Sequence, residues 1–152
     1  MKKFQFKLQT VLHVKEKKEE QLKNELLKLL GLKAEQEQLL IKIETEKKKA
    51  HNEKASETSA GASDIMSFIY YEEYLNLLRK NVEITEKKIK DFEKKADIKR
   101  VAVVVASKEK KVFEKLKNKQ YEQFKVMVLQ NEQKTLDEIA VSKYNRKEQR
   151  SI

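Results

Sequence analysis

A chain of 152 residues with no proline, and with glycine only at Gly31 and Gly61, holds almost nothing that can stop a helix. Turns and irregular loops draw heavily on both residue types, so long uninterrupted helices are what such a sequence can build. One stretch breaks the pattern. Ser56 to Asp64 gathers small polar residues, poor helix formers and a glycine free to take a left-handed conformation. The expectation is an all-α fold: an antiparallel two-helix coiled coil, with helix 1 over about 8–55, a turn over about 56–64, helix 2 over about 65–146 and a tail at 147–152. Ser63 or Asp64 is placed to cap the second helix.

A heptad seam supports this reading. Steps of three and four residues from Leu8 visit Leu12, Lys15, Glu19, Leu22, Leu26, Leu29, Lys33, Gln36, Leu40, Ile43, Lys47 and Ala50. The same stepping from Tyr71 finds Leu75, Leu78, Val82, Thr85, Ile89, Phe92, Ala96, Lys99, Val103, Ala106, Lys110 and Phe113. The run Val101 to Ala106 is β-branched enough to resemble a strand, but a lone strand leaves its ladder groups unpaired, so it reads as helix. Gly31 reads as a solvent-facing position, because the seam steps over it.

The arms are unequal. A first helix of this extent spans about 70 Å and the second about 120 Å. Folding back at Gly61 pairs positions whose numbers sum to about 120, which sets Phe4 near Leu116 and leaves the chain beyond about Lys119 with no helix beside it. That overhang still carries Tyr121, Phe124, Met127, Val128, Leu129, Leu136, Ile139 and Tyr144. An apolar face on a lone helix is marginal in water and suits another protein.

The sequence lacks the patterns that carry chemistry. His13 and His51 stand near opposite ends of one helix, there is no cysteine, and no HExxH, phosphate loop, nucleophile elbow or dinucleotide fingerprint occurs. A two-helix seam has no cleft in which to desolvate a carboxylate pair, so no active site, cofactor or metal is expected. The net charge of +10 comes from lysines dispersed among glutamates, the pattern of solvated helix faces. Nucleic-acid binding is not indicated, for want of a helix-turn-helix, zipper-linked basic region or glycine-aromatic motif. No apolar run has the length of a cleaved leader or of a membrane span, so a cytoplasmic chain without direct membrane insertion is expected.

Two further groups stand out. Phe68, Ile69, Tyr70, Tyr71 and Tyr74 crowd the turn end, as a local cap on the hairpin or as an exposed docking patch. Phe4, Phe6, Leu8 and Leu12 face Val104, Val105, Val112, Phe113 and Leu116 under the pairing above, which reads mainly as core; part of the valine band is left for a partner.

The opening Phe4-Gln5-Phe6-Lys7-Leu8-Gln9-Thr10-Val11-Leu12 resembles the start of many members of the flagellar export protein FliJ family. Glu114-Lys115-Leu116-Lys117, followed by Glu132-Gln133-Lys134-Thr135-Leu136-Asp137-Glu138-Ile139-Ala140, resembles that family's C-terminal helix. Ser142 to Ile152 departs from any clear family pattern. The resemblance implies a non-enzymatic stalk of the bacterial flagellar type III export apparatus, serving flagellum biogenesis and motility. Its implied partners are the hexameric flagellar export ATPase, the cytoplasmic domain of the membrane export gate, and export chaperones. It implies a cytoplasmic location, peripheral to the inner face of the membrane. By residue matching, Leu136, Asp137, Glu138 and Ala140, with Phe4, Phe6 and Leu8, would sit at the ATPase contact, and Phe68, Tyr70, Tyr71 and Tyr74 would be free for the gate. The alternative is a generic oligomerising or tethering coiled coil that associates along its seam.

Overall fold

The computed structural model describes residues 3–61 and 64–148, with side chains through Tyr144. Without proline to interrupt them, two helices take up nearly all of this chain: α1, Gln9–Ser59, and α2, Ile65–Glu148. No strand occurs among the described residues, and Val101 to Ala106 lies within α2. The two helices pack against each other as an antiparallel hairpin. The chain divides into two compact units, Glu19–Val105 and Met1–Lys18 with Ala106–Ile152.

Within Glu19–Val105, the two strings of seam residues predicted by periodicity are the ones that lose their exposure. Ile43, Ala50, Leu75, Leu78, Thr85 and Ala96 are buried, and Leu75 is fully enclosed at 0% exposure. The remaining seam positions of this unit are half-buried, apart from the buried Glu19. Thr85 satisfies its hydroxyl by donating to the Asn81 carbonyl at 2.8 Å, which lets a polar side chain sit in the seam. Gly31 faces open space, with nothing within 4 Å of where a Cβ would stand.

The turn differs from the sequence expectation in two ways. First, α1 continues through Ser59 instead of stopping near Ala55. Thr58 and Ser59 donate their hydroxyls to the carbonyls of Lys54 and Ala55, both at 2.8 Å, so these residues stay in the helix instead of competing with it. Gly61 then adopts φ +66°, the left-handed conformation that ends helices cheaply only at glycine. Asp64 takes the N-cap position of α2, its carbonyl accepting from the Phe68 N–H at 3.2 Å. Ser63, the other candidate cap, lies outside the described residues, as do positions 149–152 of the expected tail; positions 147 and 148 belong to α2.

Second, the register is later than a reversal centred on Gly61 would give. Pairs across the seam of this unit sum to 124 for Glu25 with Lys99 and to 126 for Lys33 with Glu93 and Lys54 with Glu72. With α1 extended by four residues, the point of reversal moves to 62–63 and the pairing moves with it.

In the other unit, Leu12 and Ala106 are buried and Phe113 is half-buried, and Lys15 bridges to Glu109. Residues 3–6 are not helical, and α1 starts only at Gln9, whose N–H donates to the Phe6 carbonyl at 3.1 Å. The extended segment carries Phe4 to Tyr121 and Phe124, past the predicted neighbour Leu116, with ring centroids 5.3 and 5.7 Å apart.

Candidate functional site

The seam itself is held by charge as well as by aliphatic packing. Lys15 Nζ donates to Glu109 at 2.7 Å and Lys99 Nζ to Glu25 at 2.6 Å, while Lys33 bridges to Glu93 and Lys54 to Glu72. Lys15, Lys33 and Lys99 occupy seam positions that looked like interruptions of the heptad. Each instead lays its aliphatic stem in the seam and turns its ammonium toward a glutamate at the seam's edge on the opposite helix. The hydrogen bond from each lysine holds its partner carboxyl at Glu25, Glu72, Glu93 and Glu109 below the usual carboxylate range. Heptad counting missed these bridges, because the expected pairing sum of about 120 sets Val105, Lys87, Met66 and Gln21 opposite Lys15, Lys33, Lys54 and Lys99; the glutamates come opposite only in the observed register.

At the turn end, the aromatic cluster divides by role. Tyr71 and Tyr74 are half-buried, whereas Tyr70 is 63% exposed and Phe68 is exposed beside it. Tyr71 donates its hydroxyl to Glu57 Oε1 at 3.1 Å, and Ser67 donates to Oε2 of the same carboxylate at 2.6 Å. That bond to Glu57, with burial second, pushes the Tyr71 phenol above its ordinary pKa. The Lys54 ammonium lies 4.1 Å from the centre of the Phe68 ring while also bridging to Glu72. Tyr70 stacks on Tyr74 at 6.3 Å and meets Tyr71 edge-on at 5.6 Å. Tyr71 is held by its bond to Glu57 and Tyr74 is half-buried under the Tyr70 ring, while Phe68, Ile69 and Tyr70 stay exposed to solvent.

In the unit that holds both termini, the predicted contact residues do not form one cluster. Phe6 is buried at 8% exposure and Phe4 is half-buried against Tyr121 and Phe124, so both belong to the packing of this end. Leu8 is at the edge of exposure. Leu136 lies twelve residues beyond Phe124, about 18 Å along the helix, and it is exposed together with Asp137, Glu138 and Ala140. Beyond Phe124 only Val128 is even half-buried as far as Tyr144. A shallow groove runs along this bare helix, lined by Phe124, Met127, Val128, Asn131, Thr135 and Leu136 among others. Its exposed lining is mainly apolar. Among the described residues no cluster of His, Cys, Asp and Glu could hold a metal, and no helix is long and apolar enough to cross a membrane.

The family model described as flagellar FliJ protein matches residues 4–149, nearly the whole of this hairpin. The chain belongs to the FliJ family. No curated protein and no solved structure matches it. As a FliJ family member it is a flagellar export-related protein. The match includes both helices of the FliJ hairpin, the aromatic turn end and the bare C-terminal part of α2.

Proposed function

We propose that this chain acts as a stalk in the flagellar export apparatus, docking through the bare end of α2 into the hexameric export ATPase and coupling it to the membrane export gate. The observation that carries the reading is the uncovered helix from Lys125 to Tyr144, where Leu136 is 61% exposed beside Asp137, Glu138 and Ala140. A helix with an apolar face and no neighbour gains stability by entering a partner's cavity. In this reading Phe4, Phe6 and Leu8 brace the base of the docking segment, with Leu8 closest to direct contact. Lysine-rich faces would be guided by an acidic ring lining.

The turn end is the proposed contact for the cytoplasmic domain of the gate. Phe68 and Tyr70 supply the contact area, and Tyr71 and Tyr74 set their geometry. The protein would work in the cytoplasm, held at the inner face of the membrane through its partners, and could exchange there with export chaperones. The test is binding of purified export ATPase to the L136A/D137A/E138A variant. Weakened binding with unchanged helical circular dichroism is expected, and unchanged binding would overturn the assignment of the docking end. A gate-domain titration with Phe68→Ala and Tyr70→Ala tests the other end in the same way.

A further inference from the structure

The face of α2 turned away from the seam carries a heptad row of its own. It steps by three and four residues from Met66 to Ala140 without a break, and every position along it is exposed. The row is most apolar at the valine band. Ile98 and Val101 are 69% and 65% exposed, Val105 and Val112 follow in the same row, and Val104 lies beside them, exposed as well. An exposed heptad row with an aliphatic centre is half of a coiled-coil interface.

We infer that this face pairs with the same face of a second copy, antiparallel, about a twofold axis level with Val103. Val101 then meets Val105 of the second copy, Val104 meets its own counterpart, and Ile98 packs between Val105 and Val112 of the second copy, so the apolar centre closes on itself. The charges agree with that register. Asp91 meets Lys115 of the second copy within the row, and at its edges Asp97 meets Lys111 and Lys95 meets Glu109 of the second copy, each contact made twice by the symmetry. Lys87 with Lys119 is the one like-charge contact this register makes, and both ammonium groups can swing out to solvent. Other registers fare worse. Sliding by a heptad in one direction brings Lys90 against Lys111 and Lys80 against Lys119; in the other it brings Lys94 against Lys119 and Asp91 against Glu122. A parallel pair in register stacks Asp91, Lys94 and Lys108 on themselves.

The same register fits the ends of the helix. Leu129 meets Leu77, Leu136 meets Tyr70 and Ile139 meets Ile69 of the second copy, and all six side chains are exposed in the single hairpin. This pairing goes beyond the stalk reading and does not need an ATPase. It covers both proposed docking ends, so the free protein would shelter the surfaces that the docked protein uses.

Sedimentation equilibrium of the full chain over a concentration series tests it, with a reversible monomer–dimer equilibrium expected. V104E sets two carboxylates against each other on the axis and should leave the chain monomeric, with helical circular dichroism unchanged because Val104 is exposed in the hairpin. Asp91 and Lys115 are exposed too, and among the described residues neither joins an ion pair within its own hairpin, so exchanging them reads the contact between copies. D91K turns two attractions into two repulsions and should raise the dissociation constant about tenfold. The D91K/K115D double variant restores opposite charges and should return the constant to near its starting value. A chain that stays monomeric at every concentration overturns the inference. So does a dimer indifferent to V104E, which would place self-association at another face, and so does a D91K defect that the double variant fails to repair. No ATPase enters these measurements, so their outcome stands apart from that of the docking proposal.

Discussion

Lys15 Nζ lies 2.7 Å from Glu109 Oε2, joining the first turns of α1 to the middle of α2. Bridges of this kind recur along the hairpin, and their pH dependence follows from the direction in which the carboxyls are shifted. Glu25, Glu72, Glu93 and Glu109 all have folded pKa values below their ordinary ones. Their contribution is therefore complete above the unfolded carboxylate value of about 4.3 and is lost as pH falls through the depressed folded values. Melting temperature followed by circular dichroism should be level from neutral pH to about 5 and should drop below that. E25Q/E109Q should flatten the drop. At the alkaline end Tyr71 acts in the opposite sense: its raised phenol supports the fold below about pH 10, and that support is lost as pH rises through the folded value.

Gln36 occupies a seam position where its Oε1 is buried without a hydrogen-bond partner among the described residues. An unsatisfied buried acceptor costs about 1–3 kcal/mol, and leucine removes it while adding apolar contact. Gln36→Leu should raise stability by about 1 kcal/mol or more, read as a higher midpoint in urea with an unchanged m-value. A lower midpoint would show that the amide contributes favourably where it stands.

The two glycines should respond in opposite directions to alanine. At Gly31 the helix is regular and the space open, so Gly31→Ala should stabilise by about 0.5–1 kcal/mol. At Gly61, φ +66° is strained for any residue with a Cβ, and Gly61→Ala should destabilise by about 1–2 kcal/mol. Chemical denaturation of the two variants beside the parent checks both signs.

Leu75 is fully enclosed in the seam near the turn, so truncating it removes buried apolar contact and leaves a cavity. Leu75→Ala should cost about 2–4 kcal/mol. Leu129→Ala, on an exposed face, should change monomer stability by less than about 0.5 kcal/mol. Thermal melts at low concentration separate the two.

The two helices and the face each buries were already legible in the spacing of residues. Leu12 to Ala50 and Tyr71 to Phe113 step as a heptad, and every one of those positions lost exposure. The family was legible as well, through the matching stretches at either end of the chain. Periodicity specifies the angle of a side chain around its own helix and carries no information on how far one helix slides along the other. That axial offset depended on where α1 ended, and α1 ended at Ser59 because Thr58 and Ser59 could bond back into it. The offset in turn decided which glutamate each seam lysine would meet. The uncovered end with Leu136 followed from the unequal arms alone, but two amphipathic faces became one seam of specific ion pairs only when the arms came together, because a bridge needs both partners at the same height along the seam.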